Sequence, residues 1–218
     1  MNEECRKYII KNFFKENFFE NTCDGTYKLE ETDQGGEMIL YFNVPGKQSM
    51  AIKNLDKKKT DFLFFKEEKS LSLKKRTDHI ILEQRENDSW TAHLIEMKSS
   101  VKTQEKWMEI KGKFRASYLF VLAAGAILHI KIDDIRMYTT YKSETISRGR
   151  VTCMPENPVL KRMHTGERPI ETWREWNGGE FTLPFGTDCS LPFLHIPIRV
   201  CKNEEGGYLE GSISVCRT

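Results

Sequence analysis

The chain has 218 residues and a mass of 25.5 kDa, with 39% hydrophobic and 30% charged residues. That is enough apolar material to bury a core in one decorated domain or two small ones, and it excludes the wholly disordered class. The net charge of +2, from 34 basic against 32 acidic residues, gives no overall signal for a polyanion partner, so any charge argument rests on local clusters.

In chain order, residues 2–21 carry Cys5, Tyr8, Ile9, Phe13, Phe14 and Phe18 near the spacing of a helical face, and Asn21-Thr22 with Asp24-Gly25 closes the run, so a helix is expected. MILYFNV at 38–44, ended by Pro45-Gly46, reads as a strand. DFLFF at 61–65, HIILEQ at 79–84 and TAHLIEM at 91–97 read as three more, the last two joined by a hairpin through Asn87-Asp88-Ser89. Residues 102–128 place Trp107, Ile110, Phe114, Tyr118, Val121 and Leu122 at three- and four-residue steps. A long helix is expected there, with Trp107 and Phe114 in the core, although Gly112 and Gly125 weaken it. IKIDDIRMYTTY at 130–141 alternates as a strand should. The order over 2–142 is αβββαβ, an α/β core of mixed sheet. Six of seven prolines follow from Pro155 onward, so residues 143–218 read as a β-rich extension of turns and short strands packed on that core.

The longest apolar stretch, 118–130, is interrupted by His129 and is shorter than the roughly 20 apolar residues a bilayer requires, so no membrane partner is expected. The start, MNEECRKYIIKNFF, has acidic residues where a signal peptide needs a basic region, and a cytoplasmic chain with reduced thiols is the expectation. Cys5, Cys23, Cys153, Cys189, Cys201 and Cys216 include no C-x-x-C pair and read as mostly buried thiols. His79, His93, His129, His164 and His195 form no H-x-H or H-x3-H cluster, which argues against zinc. HTGERP at 164–169 has the look of a zinc-finger linker, but no C-x2-C precedes it. Hydrolase triads, P-loops and dinucleotide sites have no motif here.

Glu96 and Lys98, two apart at the end of a strand, point to one side of the sheet, and the hairpin brings Asp78 beside them with position sums near 175. Two carboxylates and an ammonium on one face suit metal-dependent phosphodiester cleavage, the acids holding Mg²⁺ or Mn²⁺ and the lysine steadying developing charge. RTDHIIL at 76–82 and HLIEMKSS at 93–100, together with the element order, resemble the PD-(D/E)xK nuclease superfamily, whose fold is restriction-endonuclease-like. The resemblance implies Asp78 and Glu96 as metal ligands and Lys98 as the catalytic lysine. Thr77 stands where the superfamily's proline would.

Asp61, in KKTDFLFF, mirrors Asp78 in KRTDHIIL and is a rival or additional ligand. The resemblance also suggests a glutamate from the first helix, Glu20 or Glu16, and phosphate contacts from Gln104, Lys111 and Lys113 on the second. Residues 98–115 hold six basic residues (Lys98, Lys102, Lys106, Lys111, Lys113, Arg115) against Glu105 and Glu109, a local +4 that fits either a solvated surface or a nucleic-acid face. The expected partner is DNA or RNA, with bacterial or phage defence as the setting the resemblance implies. A homodimer or a protein partner docking through the extension is open. The alternative class is a catalytically silent module of this fold that binds nucleic acid or protein as an accessory or inhibitory subunit.

Overall fold

The computed structural model describes residues 3–22, 24–33, 36–46, 48–58, 73–86, 88–146, 172–176, 181–185 and 189–215. They form a mixed α/β fold with several sheets and few helices. Its layering follows from one strand. β5 (Trp90–Glu96) is buried at all seven positions, which requires cover on both faces of its sheet. Trp90, Ala92 and Leu94 join a core with Trp107, Ile110 and Phe114 of α2 (Gln104–Leu128). Ile95, and Met97 just beyond the strand, join a second core with Tyr27, Leu40 and Phe42. Side chains alternate across a strand, so one continuous apolar run serves two cores.

The central sheet runs β11 (Leu194–Arg199), β7 (Ile132–Tyr141), β5, β4 (His79–Gln84), β3 (Ser49–Ile52). β11, β7 and β5 are parallel, and β4 and β3 complete the sheet in antiparallel fashion. A hairpin suffices between β4 and β5, but the parallel step from β5 to β7 needs a crossover, and α2 supplies it. Thr103 caps α2 by accepting a bond from the Lys106 N–H, and His129, left-handed at φ 50°, ends it by donating back to Ala126 and Gly125. Gly125 allows close packing, because a Cβ there would lie 2.9 Å from the end of the Ile132 side chain, which would have to shift. β11 is an edge strand, which is why it tolerates Pro197.

The second sheet, in the order β1 (Thr26–Asp33), β2 (Gly36–Asn43), β13 (Leu209–Ser214), β12 (Cys201–Lys202), covers the other face. Two short pairs, β6 (Ser100–Val101) with β8 (Ser143–Glu144) and β9 (Thr182–Pro184) with β10 (Ser190–Pro192), complete the strands. A one-turn helix, α3 (Thr172–Trp176), packs Trp176 against Trp107. Among the described residues no helix is long and apolar enough to cross a membrane.

Several elements differ from the sequence expectation. The first helix, α1 (Glu3–Phe13), stops well short of residue 21. Phe14, Phe18 and Phe19 instead stack with ring centroids 5.0–5.4 Å apart, and Asn17 at φ 58° turns the chain to allow it. β1 and β3 were not foreseen; β1 has only Tyr27 and Leu29 as inward apolar residues, and β3 has four residues. The strand expected at 61–65 lies outside the described residues. In the β-rich extension, β11 and β13 add to the two large sheets by parallel pairing with β7 and β2, a pairing that short strands between turns do not reveal. Cys5, Cys189 and Cys201 are exposed, not buried.

His195 is enclosed by the rings of Trp107, Phe114, Trp176 and Phe181, with centroids 4.8–6.2 Å away. Its Nδ1 lies 3.3 Å from the Trp176 carbonyl, which can only accept, so Nε2 receives the Thr139 hydroxyl at 3.0 Å. Burial pushes its pKa down to about 3. The unfolded chain, titrating near 6.5, therefore binds the proton first as pH falls. The stabilisation is complete above pH 6.5 and is lost between there and about pH 3, at a slope approaching 1.4 kcal/mol per pH unit. Urea unfolding at pH 7, 6, 5 and 4 is expected to show a slope shallower by about one proton in His195→Gln.

Candidate metal centre

Pairing between β4 and β5 runs His79 to Ile95 and Gln84 to Trp90, so position sums are 174, one less than expected. The next step sets Asp78 opposite Glu96. Both share parity with Ile80, Leu82 and Leu94, which face α2. Asp78 is tied to three elements. Its carboxylate accepts the Met97 N–H at 2.6 Å. Its carbonyl accepts the Leu55 N–H at 2.7 Å, holding the 3-10 turn Leu55–Lys57 beside β4. The preceding Thr77 N–H donates to Ser117 Oγ on α2 at 2.9 Å.

Two ammonium groups meet these acids. Lys98 Nζ lies 2.7 Å from Glu96 Oε1, 3.9 Å from Asp78 Oδ2 and 2.9 Å from the Met97 carbonyl. Lys113 Nζ, arriving from α2, lies 2.7 Å from the same Glu96 oxygen and 3.5 Å from Asp78 Oδ1. Glu96 is fully buried. Burial first, and the Asp78 charge second, raise its pKa to about 7 against the opposing pull of the lysines. Burial alone would lower both ammonium groups, but the Glu96 and Asp78 charges outweigh it and hold both above the usual lysine value. Glu96 Oε2 is buried with no hydrogen-bond partner. A buried carboxylate oxygen without a donor is an acceptor whose partner is missing.

Glu31 of β1, Asp56 of the 3-10 turn and Asp78 bring ligand oxygens within 4.8 Å of one another. Asp78 is buried, Glu31 half-buried and Asp56 exposed. Burial, then the charges of Asp78 and Glu31, raise the Asp56 pKa. Lys57 pairs with Glu31 at 3.1 Å. This cluster could hold a metal ion. The donor set fits a hard cation, since every ligand is a carboxylate oxygen and no thiolate or imidazole joins it.

Of the other residues singled out in the sequence, Glu20 lies apart, pairing with Lys53 at 2.8 Å and bridging β3 through Ala51. It follows the end of α1, as does exposed Glu16, so no helical spacing relates them. Asp61 lies outside the described residues. Gln104 is exposed at the start of α2. Lys111 is corrected. It is 2% exposed, its Nζ 2.6 Å from Glu175 and 5.5 Å from the Phe181 ring centroid, and so faces the interior, away from any phosphate. Lys113 stands in the centre itself. Glu31 and Asp56 were missed: Glu31 continues the inward parity of Tyr27 and Leu29, a usable signal, whereas the 3-10 turn carrying Asp56 has no periodicity to read.

No protein-family model, curated protein or solved structure matches the chain, so a functional reading rests on its own geometry.

Among the described residues the buried Thr77 N–H donates to Ser117, which fixes the residue before Asp78 against α2. Ser117→Ala leaves that donor unsatisfied, and a loss of about 1–3 kcal/mol is expected by urea unfolding. Unchanged stability would mean that water or another acceptor reaches Thr77.

Proposed function

We propose that the protein is a divalent-cation-dependent hydrolase of nucleic-acid phosphodiester bonds, with Asp78 and Glu96 as ligands to Mg²⁺ or Mn²⁺ and Lys98 as the catalytic lysine. The observation that carries this reading is the convergence of Asp78, Glu96 and Lys98 at one end of the β4–β5 hairpin, with one Glu96 oxygen buried and unpartnered. A hairpin followed by a crossover helix and a parallel strand, with the acids at the hairpin's end, is also the arrangement the PD-(D/E)xK resemblance implies. We assign the restriction-endonuclease-like core on that combined basis.

An ion bound there supplies Lewis-acid polarisation of a phosphoryl oxygen and lowers the pKa of water. The chain's own residues do the rest. Asp78, fixed by the Met97 N–H and the Leu55 N–H, presents a carboxylate that needs no reorganisation. Glu96 supplies its free Oε2. Lys98 is set by its backbone N–H on Thr140 Oγ1 at 2.9 Å and by the Met97 carbonyl, so its ammonium is aimed where negative charge develops as water attacks phosphorus and a P–O bond breaks. Burial of both acids excludes competing solvent, which strengthens each of these contacts.

The test is cleavage of labelled single- and double-stranded DNA and RNA with Mn²⁺ or Mg²⁺. Asp78→Asn and Glu96→Gln are expected to abolish it, and Lys98→Met to lower it by about 10²–10³. Wild-type protein that cuts none of these substrates overturns the reading.

A further inference from the structure

Glu96 Oε1 receives two ammonium groups at 2.7 Å, while its other oxygen receives none. The donors are thus gathered on one oxygen while its neighbour, equally buried, is left to a further partner. Across the centre, Glu31, Asp56, Asp78 and Glu96 face Lys57, Lys98 and Lys113. Four carboxylates thus meet three ammonium groups. A divalent ion added to all seven would leave one uncompensated positive charge beside buried carboxylates, where charge is poorly screened. Departure of one lysine restores neutrality.

The contacts distinguish the three. Lys57 touches Glu31 at the surface, with its side chain 55% exposed, and contacts neither Asp78 nor Glu96. Lys98 is anchored three ways, by Glu96, by the Met97 carbonyl and through its backbone on Thr140. Lys113 Nζ has the Glu96 and Asp78 carboxylates as its partners, the same pair an ion would take. Its side chain is 13% exposed and so borders solvent, and it stands on the helix whose exposed start carries Gln104.

We propose that Lys113 is a displaceable counter-ion: in the ion-free protein its ammonium occupies the cation position between Glu96 and Asp78, and a divalent ion binding there releases it to a phosphate of the nucleic acid. The proposal rests on the function inferred above and adds a linkage to it, in which ion binding creates the phosphate site. Removing Lys113 then has two effects of opposite sign. Ion binding without substrate tightens, because no resident cation competes, and the ion-induced gain in nucleic-acid affinity disappears.

Calorimetric titration of Mn²⁺ into the full chain and Lys113→Met reads the first effect, and about tenfold tighter binding by the variant is expected. Lys113→Arg, which keeps the charge, is expected to bind Mn²⁺ as the wild type does. Fluorescence anisotropy of a labelled single-stranded DNA oligonucleotide with and without Ca²⁺ reads the second. Ca²⁺ is expected to tighten binding by the wild type and to leave Lys113→Met unchanged. Circular dichroism melts accompany each titration, and Lys113→Gln replaces the methionine variant if that one does not fold. Equal or weaker Mn²⁺ binding by the uncharged variant overturns the proposal, as does no Mn²⁺ binding by either protein. A wild type that cleaves nothing, beside a variant that binds Mn²⁺ more tightly, removes the nuclease reading and leaves the counter-ion role standing. A wild type that cleaves, beside a variant of unaltered ion affinity, removes only the counter-ion role.

Discussion

The constraint on which the rest of the structure depends is the carboxylate of Glu96 at the end of a strand covered on both faces. An ionised group taken so completely from water costs several kcal/mol unless charge and hydrogen bonds meet it. Lys98 follows from the strand itself, two residues on. Lys113 reaches it from α2, which lies along the same face of the sheet. The Thr77–Ser117 bond and the close approach at Gly125 hold the same helix near its middle and its end. These contacts and the burial of Trp107, Ile110 and Phe114 set the position of the helix, and the Lys113 ion pair forms within it, while apolar burial supplies the bulk of the stabilisation.

Two other buried polar networks show why this one is singled out. On the α2 side, Lys111 bonds Glu175, whose other oxygen accepts the Trp107 indole N–H at 2.9 Å. Between the sheets, Glu83 meets His93 at 3.0 Å and His93 meets the Tyr138 hydroxyl at 3.0 Å. In both, every buried side-chain oxygen and nitrogen has a partner. Such closed networks specify packing and offer nothing to a ligand. The Asp78–Glu96 centre keeps an orphaned oxygen and lies beside exposed Asp56, so its bonding is incomplete next to the surface.

What could be read from the sequence follows physical lines. β4, β5, α2 and β7 were legible because each carries a periodicity or an apolar run long enough to admit one interpretation. The register of the β4–β5 hairpin was off by one. Arg85 N–H donates to Ser89, continuing the 174 sum, and Asp88 at φ 62° takes a left-handed turn that strand alternation cannot reveal. Asp78 and Glu96 converge because a sum of 174 makes Glu96 the direct partner of Asp78 and sets both side chains on one face; a sum of 175 would have put them on opposite faces. The parity of Glu31 with Tyr27 and Leu29 could show that it faces inward, but not that it meets Asp56 and Asp78, because that approach depends on a second sheet folding over the first. Lys111 and Lys113 looked equivalent in sequence. Two residues apart on a helix is a rotation of about 200°, which turns one towards Glu175 and the other towards Glu96.

The C-terminal strands bear on the centre through a chain of contacts that crosses both sheets. Leu209 of β13 pairs with Met38 of β2, and Met38 pairs with Glu31 of β1. Met38 Sδ in turn accepts the Thr140 hydroxyl at 3.0 Å, and Thr140 Oγ1 accepts the Lys98 N–H. A residue of the extension is thus two strands from one acid of the cluster, and two hydrogen bonds beyond Met38 lies the backbone of Lys98. β13 is flanked on both sides, by β2 and β12, so it is an interior strand. Removing it would expose an edge of β2 and uncover Leu40 and Phe42, side chains of the core against which Ile95 and Met97 pack. The extension therefore works as a second layer that sets Glu31 and Lys98, and an account of the centre confined to the β4–β5 hairpin would omit the part of the chain that holds it in shape.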